Sequence, residues 1–217
     1  MKKNLPLPIT PHLFFETRLW QEGLNYVAGI DEAGRGALAG PVAAGAVIFP
    51  SKEDLSERLE GLRDSKQLSP ALRYEWHFII QNTALDWSVG FASDQEIDQI
   101  GILPATQLAM QRAVAGLRII PNHLLVDFLF LPQIVLPQTA LVKGDCRSLS
   151  IAAASVMAKY LRDTLMQQYD RQYRGYGFAN HKGYGTAAHL KRIEQLGPCP
   201  IHRRSFAPFK PKQENIS

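Results

Sequence analysis

Five short apolar segments recur along the chain, and longer segments with helical signals separate most of them. The apolar, β-like segments are residues 26–31, 43–49, 87–92, 123–129 and 139–143. The helical segments are residues 69–82, 93–117, 148–169 and 186–196. Two strands followed by alternating helices and strands predict an α/β fold in which helices flank a mixed sheet. The last fifth of the chain is expected to form a small helical subdomain beside it.

Local signals mark where these helices begin and break. Ser69-Pro70 is typical of an N-cap followed by the first helical position, and Ser93 with Glu96 has capping-box spacing. Pro104 is expected to divide the 93–117 segment into two helices, because proline disrupts a helix interior.

Charge is distributed unevenly along the 217 residues, whose formal net charge is +4. Residues 170–217 hold nine Lys or Arg and three Asp or Glu, a net +6, whereas residues 1–169 hold fifteen and seventeen, a net −2. The length fits one domain, or one domain with a small appendage. The basic C-terminal region is consistent with a polyanionic partner, and equally with a solvated basic surface.

Composition and spacing disfavour several protein classes. No apolar run approaches the roughly 18–20 residues that a membrane span needs. Residues 1–15 lack the continuous apolar stretch and the cleavage site of a signal peptide. Cys146 and Cys199 are far apart and form no CxxC pair, and the six histidines show no zinc-site spacing. We therefore expect a cytoplasmic protein with reduced thiols and no membrane partner.

Four acids stand at the ends of β-like or loop segments: Asp31, Glu32, Asp127 and Asp145. Bringing several carboxylates together is costly unless cations neutralise them. Mg²⁺ and Mn²⁺ bind carboxylate oxygens and keep open positions for water and phosphate. Two such ions about 3.5–4 Å apart can support an in-line phosphoryl displacement. The pattern therefore favours a divalent-metal site that can support phosphoryl chemistry.

Each acid also has a simpler interpretation, which base rates favour when the acid is taken alone. Asp145 can cap a helix, Asp127 can start a turn, and residues 31–32 can form a hydrated loop. Their joint occurrence at strand ends favours the metal site, although spacing does not prove that the four side chains meet.

Two glycine-rich loops offer further binding groups. Gly34-Arg35-Gly36 follows the first acids, so its backbone N–H groups can approach a ligand and Arg35 can bind a phosphate. Its spacing fits neither a phosphate-binding Walker loop nor a dinucleotide fingerprint. Tyr184, flanked by glycines, can offer its ring to a sugar or base, or can be an ordinary loop tyrosine.

Seven blocks, in this order, resemble those of bacterial ribonuclease HII, the type 2 ribonuclease H. The resemblance spans residues 26–209. The blocks are GIDEAGRG (29–36), LAGPV (38–42), DSKQLS (64–69), LLVD (124–127), KGDCRSLSIAAASVMAK (143–159), HKGYGT (181–186) and GPCPIHRRSFAP (197–208). Such a series is far more specific than any single motif.

The resemblance implies a ribonuclease H-like fold, with a mixed five-stranded sheet and flanking helices. Residues 1–25 would be an N-terminal extension, 26–170 the catalytic core, and 171–217 a C-terminal helical region with a basic tail. The family hydrolyses the phosphodiester on the 5′ side of a ribonucleotide in RNA–DNA hybrids or duplex DNA, leaving 3′-hydroxyl and 5′-phosphate ends. It also acts at single embedded ribonucleotides, which links it to ribonucleotide excision repair.

The resemblance also implies roles for individual residues. The family's carboxylate ligands for Mn²⁺ or Mg²⁺ match Asp31, Glu32, Asp127 and Asp145. The glycine-arginine-glycine loop matches residues 34–36, whose backbone reads the ribose 2′-hydroxyl. Tyr184 matches a junction-sensing tyrosine set against the neighbouring deoxyribose, and Lys66 matches a phosphate contact.

Some positions depart from the family pattern. Ala37 stands where many members have proline, and Phe128-Leu129 follows Asp127 where others carry a small residue, which changes local packing. Residues 211–217 lack the paired aromatics of a sliding-clamp peptide, so no clamp partner is expected. Nothing indicates a coiled coil or swapped edge, so a monomer is expected. The type 3 enzyme is disfavoured, because it carries an extra N-terminal domain and a lysine where Arg35 stands.

Two other functions remain open at this point. The chain can be a non-catalytic nucleic-acid-binding module, which would shift a ribonucleotide-containing duplex without cutting it. It can also be another two-metal nuclease or integrase on the same fold, which would cut an all-DNA duplex.

Overall fold

A five-stranded mixed sheet forms the centre of the molecule. The computed structural model describes residues 10–209, and the strands are β1 Val27–Ala33, β2 Val42–Ile48, β3 Asp86–Ala92, β4 His123–Asp127 and β5 Gln138–Leu141. Their order in the sheet is β3-β2-β1-β4-β5. The β1–β2 and β2–β3 pairs are antiparallel, and the β1–β4 and β4–β5 pairs are parallel. The predicted fold class is confirmed.

Helices lie between and after the strands. They are α1 Phe14–Gln21, α2 Leu55–Arg58, α3 Pro70–Thr83, α4 Asp94–Ile100, α5 Ile102–Ala115, α6 Leu149–Gln172, α7 Phe178–His181 and α8 Ala187–Leu196. Short 3₁₀ turns span Ser65–Gln67 and Gly144–Cys146. Among residues 10–209, no helix combines the length and apolar character that crossing a membrane requires.

The two longest central helices cover opposite faces of the sheet. Buried side chains of α5 pack in one apolar cluster with β1, β2 and β4, and the alanine-rich start of α6 belongs to a second cluster. Helix α6 lies directly on the strand backbone: a Cβ added at Gly29 would be 2.1 Å from the Ser150 carbonyl carbon, and one at Gly45 would be 2.3 Å from the Ala154 oxygen. Small residues on both sides therefore allow the close approach.

Most predicted elements are present, with two differences in their bounds. Helix 93–117 is divided as predicted, but the break is at Gly101, whose φ is +83°, and Pro104 lies in the first turn of α5. Proline is tolerated there because the first-turn N–H groups have no helical acceptor. Strand β1 continues to Ala33, so Asp31 and Glu32 lie within the strand and do not end it.

Helix α1 has no counterpart in the predicted elements. Its Glu16 is fully buried, and Oε1 accepts hydrogen bonds from the Ser150 N–H at 2.9 Å and from the Ser148 and Ser150 hydroxyls, each at 2.6 Å. The extension predicted for residues 1–25 therefore contains a helix that packs against the start of α6, while residues 1–9 lie outside the described part.

A separate apolar cluster lies around the end of α6. It contains Ala39, Met166, Tyr176, Phe178, Cys199 and Ile201. Helix α6 continues to Gln172, across the predicted boundary between residues 170 and 171. The division into a core and a C-terminal region remains a prediction.

Candidate active site

Two neighbouring parallel strands bring three acids together. Strand β1 carries Asp31 and Glu32, and β4 ends at Asp127. Ile30 is paired with Val126, so Asp31 and Asp127 come next to each other on adjacent strands. One carboxylate oxygen from each of the three acids lies within 4.8 Å of the other two.

The fourth predicted acid, Asp145, comes from the turn before α6. The Gly144 N–H donates a hydrogen bond of 2.6 Å to Asp127 Oδ1, which ties this turn to β4. Asp145 is not part of the group of three, but it lines a cavity of about 480 Å³ together with Asp127. It does not cap α6, because the Ser148 hydroxyl accepts the Ile151 N–H at 3.2 Å. The structure thus places three acids in close contact and Asp145 beside them.

Burial and mutual repulsion make these carboxylates costly to ionise. Burial raises the pKa of Asp31 well above its ordinary range, and the charges of Glu32, Asp127 and Asp145 raise it further. Burial also raises the pKa of Asp127, with Asp145 and Glu32 adding to it, to about 6 despite the Gly144 hydrogen bond. The acids therefore destabilise one another in their charged forms.

The residues present fit a hard divalent cation. Asp31 is 1% exposed, and its Oδ1 accepts the Glu32 N–H at 2.7 Å. Its Oδ2 is buried and has no hydrogen-bond partner in the part of the chain that the structure describes. A cation bound to this oxygen would satisfy it and would neutralise the repulsion. The donors are all carboxylate oxygens, which Mg²⁺ and Mn²⁺ prefer.

Lys66 lies beside the acids. Its Nζ is 3.7 Å from Asp145 Oδ2 and 3.8 Å from Asp64 Oδ1, and its side chain is 70% exposed. Burial lowers the pKa of Lys66, but the surrounding carboxylates, Asp31 foremost, outweigh this and the net pKa is raised. Lys66 is therefore a protonated amine at the mouth of the site.

The two glycine-rich loops line one cavity. Residues 34–36, Lys66 and Tyr184 all border a cavity of about 460 Å³. Arg35 Nη1 is 3.1 Å from Glu32 Oε1, and its side chain is 41% exposed. The loops also touch through their backbones, because Ala37 and Tyr184 form a β-bridge.

The carbonyl and N–H groups of the 34–36 loop have different environments. Arg203 donates hydrogen bonds of 2.8 Å to the carbonyl oxygens of Gly34 and Arg35. Within residues 10–209, the N–H groups of Gly34, Arg35 and Gly36 donate no backbone hydrogen bond. These N–H groups are therefore available to a ligand.

Three further polar residues of the site were not predicted individually. Arg73 and Lys159 line the same cavity as Tyr184, and both contact Asp163: Lys159 Nζ donates to Oδ1 at 2.6 Å, and Arg73 Nη2 is 3.7 Å from Oδ2. Asp64 lines the cavity of Asp127 and accepts the Lys66 N–H at 3.0 Å. Asp64 and Lys159 lie within residues 64–69 and 143–159, two of the blocks that carry the family resemblance. This position was the signal in the sequence that could have identified them.

Phe128, one of the departures from the family pattern, has an unusual backbone. Its φ is +57°, and its side chain is 61% exposed beside Asp127. The cavity that contains Asp127 and Asp145 is also lined by Phe128 and Val142. The larger residue therefore leaves the carboxylates in place and adds an apolar surface to the site.

Comparison with known proteins identifies a single family over nearly the whole chain. The family model "Ribonuclease HII" matches residues 28–209. A ribonuclease HII from Synechococcus sp. (strain JA-3-3Ab) is 54% identical over 205 residues, which cover 94% of this chain and 92% of that protein. One from Syntrophotalea carbinolica is 53% identical over 194 residues, covering 89% and 91%.

Solved structures agree on the fold, and the sequence relatives decide the family. Ribonuclease H2 from Pyrococcus horikoshii OT3 has a TM-score of 0.69 at 27% identity, covering 85% of this chain and 95% of that one. The Archaeoglobus fulgidus RNase HII, solved in complex with PCNA, has a TM-score of 0.68 at 25% identity, covering 88% and 98%. Bst-RNase HIII, solved in complex with Mn²⁺, has a TM-score of 0.62 at 21% identity, covering 86% and 68%. The chain belongs to the ribonuclease HII family, and it is an endoribonuclease of the ribonuclease H type that acts on RNA–DNA hybrids.

Proposed function

We propose that the chain hydrolyses the phosphodiester on the 5′ side of ribonucleotides, in RNA–DNA hybrids and at single ribonucleotides embedded in duplex DNA. The products would carry 3′-hydroxyl and 5′-phosphate ends. The observation that carries the proposal is the meeting of Asp31, Glu32 and Asp127 within 4.8 Å, with Asp145 beside them and a loop of free N–H groups directly after β1.

Asp31, Glu32, Asp127 and Asp145 would hold divalent cations, either Mn²⁺ or Mg²⁺. When bound, two such ions supply an activated water and stabilise the leaving oxygen of the phosphodiester. The unpartnered Oδ2 of Asp31 supports this assignment, as does the all-carboxylate donor set. The fold neighbour solved with Mn²⁺, Bst-RNase HIII, adds support for the class of ion.

Recognition of RNA would depend on the 2′-hydroxyl, the group that DNA lacks. The free N–H groups of Gly34, Arg35 and Gly36 would bind it, and this contact would align the phosphate on its 5′ side. Tyr184, at the same cavity, would contact the deoxyribose that follows a single ribonucleotide. Arg35 and Lys66 would bind phosphates without reading bases.

We also propose a cellular setting. We place the protein in the cytoplasm as a monomer that serves ribonucleotide excision repair and hybrid removal. We propose no clamp partner: the PCNA complex belongs to the Archaeoglobus fulgidus protein, and residues 211–217, in which a clamp peptide was sought, lie outside the described residues.

A cleavage assay tests the proposal. Three duplexes are incubated with Mg²⁺, with Mn²⁺ and with a chelator: one carries a single ribonucleotide, one is an RNA–DNA hybrid, and one is all DNA. We expect cutting of the first two only, on the 5′ side of a ribonucleotide, and none with the chelator. Cutting of the all-DNA duplex would instead indicate a DNA nuclease, and a gel shift without cutting would indicate a binding module.

A further inference from the structure

Two arginines have fully buried side chains close to the substrate-binding loops. Arg162 lies on α6 and Arg203 lies in the segment after α8, and both are 0% exposed. Neither forms an ion pair with a carboxylate of residues 10–209. Burial lowers the pKa of both, and that of Arg203, which Arg162 also repels, falls to about 9. Burying two like charges without an acid is costly, so their contacts need an explanation.

Both guanidinium groups donate only to backbone carbonyl oxygens. Arg203 donates to Gly34 and Arg35 at 2.8 Å and to Gly40 at 2.9 Å. Arg162 donates to Pro41 at 2.8 Å, to Lys182 at 3.0 Å and to Ala39 at 3.2 Å. Five of the six acceptors belong to residues 34–41, and the sixth lies two residues before Tyr184. A planar guanidinium can hold such a set of carbonyls because its N–H groups have a fixed geometry.

Arg162 also fills the space that joins the two loops. A Cβ added at Gly34, whose φ is +92°, would lie 2.0 Å from Arg162 Nε, so a side chain at position 34 would displace the guanidinium. The Arg162 Cζ is 5.6 Å from the centre of the Tyr184 ring. The Leu38 N–H donates to the Gly183 oxygen at 2.7 Å, which links the same two loops directly.

We propose that Arg162 and Arg203 are positioning residues that fix the distance between the free N–H groups of residues 34–36 and the Tyr184 ring. The inference rests on the proposed function, because it assigns the 2′-hydroxyl to the first group and the next deoxyribose to the second. A single embedded ribonucleotide must satisfy both contacts at once. A long hybrid offers a 2′-hydroxyl at every nucleotide of the RNA strand, so it tolerates a small shift of one loop.

Lysine substitutions test whether the two arginines fix this distance. Arg162→Lys and Arg203→Lys keep the charge but lose the planar set of donors, and Arg204→Lys, at the exposed neighbour, is the matched control. We expect the ratio of kcat/KM on a single ribonucleotide to that on a long hybrid to fall about tenfold in the first two variants. The control should keep the wild-type ratio. Equal loss on both substrates, accompanied by a lower Tm, would assign the arginines a merely structural role and overturn the proposal.

Hydrogen exchange on the unmodified protein provides a second test that requires no variant to fold. If the arginines hold the loop rigidly, the amides of Leu38 and Gly40 should exchange as slowly as those of β1 and β2. Exchange orders of magnitude faster than in these strands would overturn the positioning role. Exchange does not depend on cleavage, so a wild-type protein that leaves ribonucleotides uncut would refute the proposed function, while this measurement would still decide whether the loop is held rigidly.

Discussion

Asp31 is the residue at which burial and like charge act most strongly together. Replacing it by asparagine removes one buried charge and one cation ligand. We expect Asp31→Asn to lower cleavage about a thousandfold or more, since cation stabilisation of the transition state contributes several kcal/mol. In chelator the variant should melt higher than the wild type, because the remaining acids repel less.

Thermal melting at increasing Mn²⁺ concentrations and the cleavage rate together check the prediction for Asp31→Asn. The wild-type Tm should rise with Mn²⁺, and the Asp31→Asn variant should lose most of that rise. Asp54→Asn, at an exposed acid paired with Arg58, serves as the control and should behave like the wild type. An Asp31→Asn variant that keeps both turnover and the Mn²⁺ shift would contradict the metal assignment.

Tyr184 offers a prediction about substrate choice. We expect Tyr184→Ala to reduce cutting at a single embedded ribonucleotide about tenfold more than cutting of a long hybrid, because only the former needs the ring against a deoxyribose. Tyr184→Phe keeps the ring and should stay near the wild type. The measurement is kcat/KM on the two substrates. A similar loss on both from the alanine variant would rule out junction sensing.

At the scale of single residues, the sequence predicted the acids better than their surroundings. Asp127 ends an apolar strand and Asp31 directly follows the apolar residues that begin another, a local signal that sequence alone displays. The contacts of Ser65 with Ser155 and of Arg73 with Asp163 join residues about ninety positions apart. No periodicity encodes such pairs, so Arg35 and Lys66 could be predicted individually, whereas the fold was needed to place Arg73 and Lys159 in the same cavity lining.

At the scale of elements, the close contact between α6 and the sheet makes a stability prediction. Gly45→Ala places a Cβ 2.3 Å from the Ala154 oxygen, and backbone must move to accept it. We expect a loss of about 1–3 kcal/mol in the free energy of unfolding. Gly36→Ala meets no atom within 4 Å and should leave that free energy nearly unchanged. Urea unfolding of both variants checks the difference, and equal stabilities would contradict the packing account.

Histidines connect α8 and the C-terminal segment to the Tyr184 loop. His202 Nδ1 accepts the Cys199 N–H at 2.9 Å, which leaves its Nε2–H to donate to His189 Nε2 at 3.1 Å. His189 Nδ1 then donates to the Tyr184 oxygen at 2.9 Å. Each ring nitrogen of His189 and His202 donates or accepts one of these hydrogen bonds, and this pattern requires both imidazoles to be neutral. Burial lowers the pKa of each histidine to about 4, with His202 further lowered by repulsion from His189 and His189 by that from His181.

This arrangement makes stability depend on pH. A depressed histidine pKa means that the unfolded chain binds the proton more readily, so the stabilisation is complete above pH 6.5 and declines as pH falls towards 4. We expect each of the two histidines to contribute a loss of about 2–3 kcal/mol in the free energy of unfolding between pH 7.5 and 4.5. The raised pKa values of Asp31 and Asp127 act in the opposite direction, so wild type is compared with His202→Asn. If the free energy of unfolding of His202→Asn depends on pH as steeply as that of the wild type, the histidines are not the source of the pH dependence.

Local signals predicted two helix starts from their capping residues. Ser69 and Ser93 each accept a backbone N–H in the first turn of a helix, as predicted, and Thr186 does the same at a helix for which no cap was predicted. Helix α1 has no such side-chain cap, and only eight residues. It makes tertiary contacts that have no local signature: Glu16 accepts hydrogen bonds from the start of α6, and Phe15 and Leu19 pack against an apolar cluster that contains Val27 and Leu125.

At the scale of the whole molecule, the site lies where the antiparallel and parallel halves of the sheet meet. Strand β1 pairs antiparallel with β2 and parallel with β4, and the three clustered acids come from β1 and β4. The order of elements predicted a mixed sheet, but it did not predict which strands are neighbours. Loop closure over ninety residues leaves many pairings open to local reasoning, so the strand order came only from the structure.

The charge pattern gives a prediction for duplex binding as a whole. If Lys66 binds a phosphate, removing its charge should lower the number of released counterions by one, and the slope of log Kd against log salt should fall by about 0.9. The measurement uses fluorescence anisotropy of a ribonucleotide-containing duplex at several KCl concentrations, in the Asp31→Asn background so that the duplex stays intact. Arg58→Gln, on α2 at a different cavity, is the control and should leave the slope unchanged. A slope that both substitutions change equally would mean that Lys66 makes no specific phosphate contact and that affinity arises from the basic surface in general. Binding that is insensitive to salt would exclude a phosphate contact by Lys66 and by the basic surface alike.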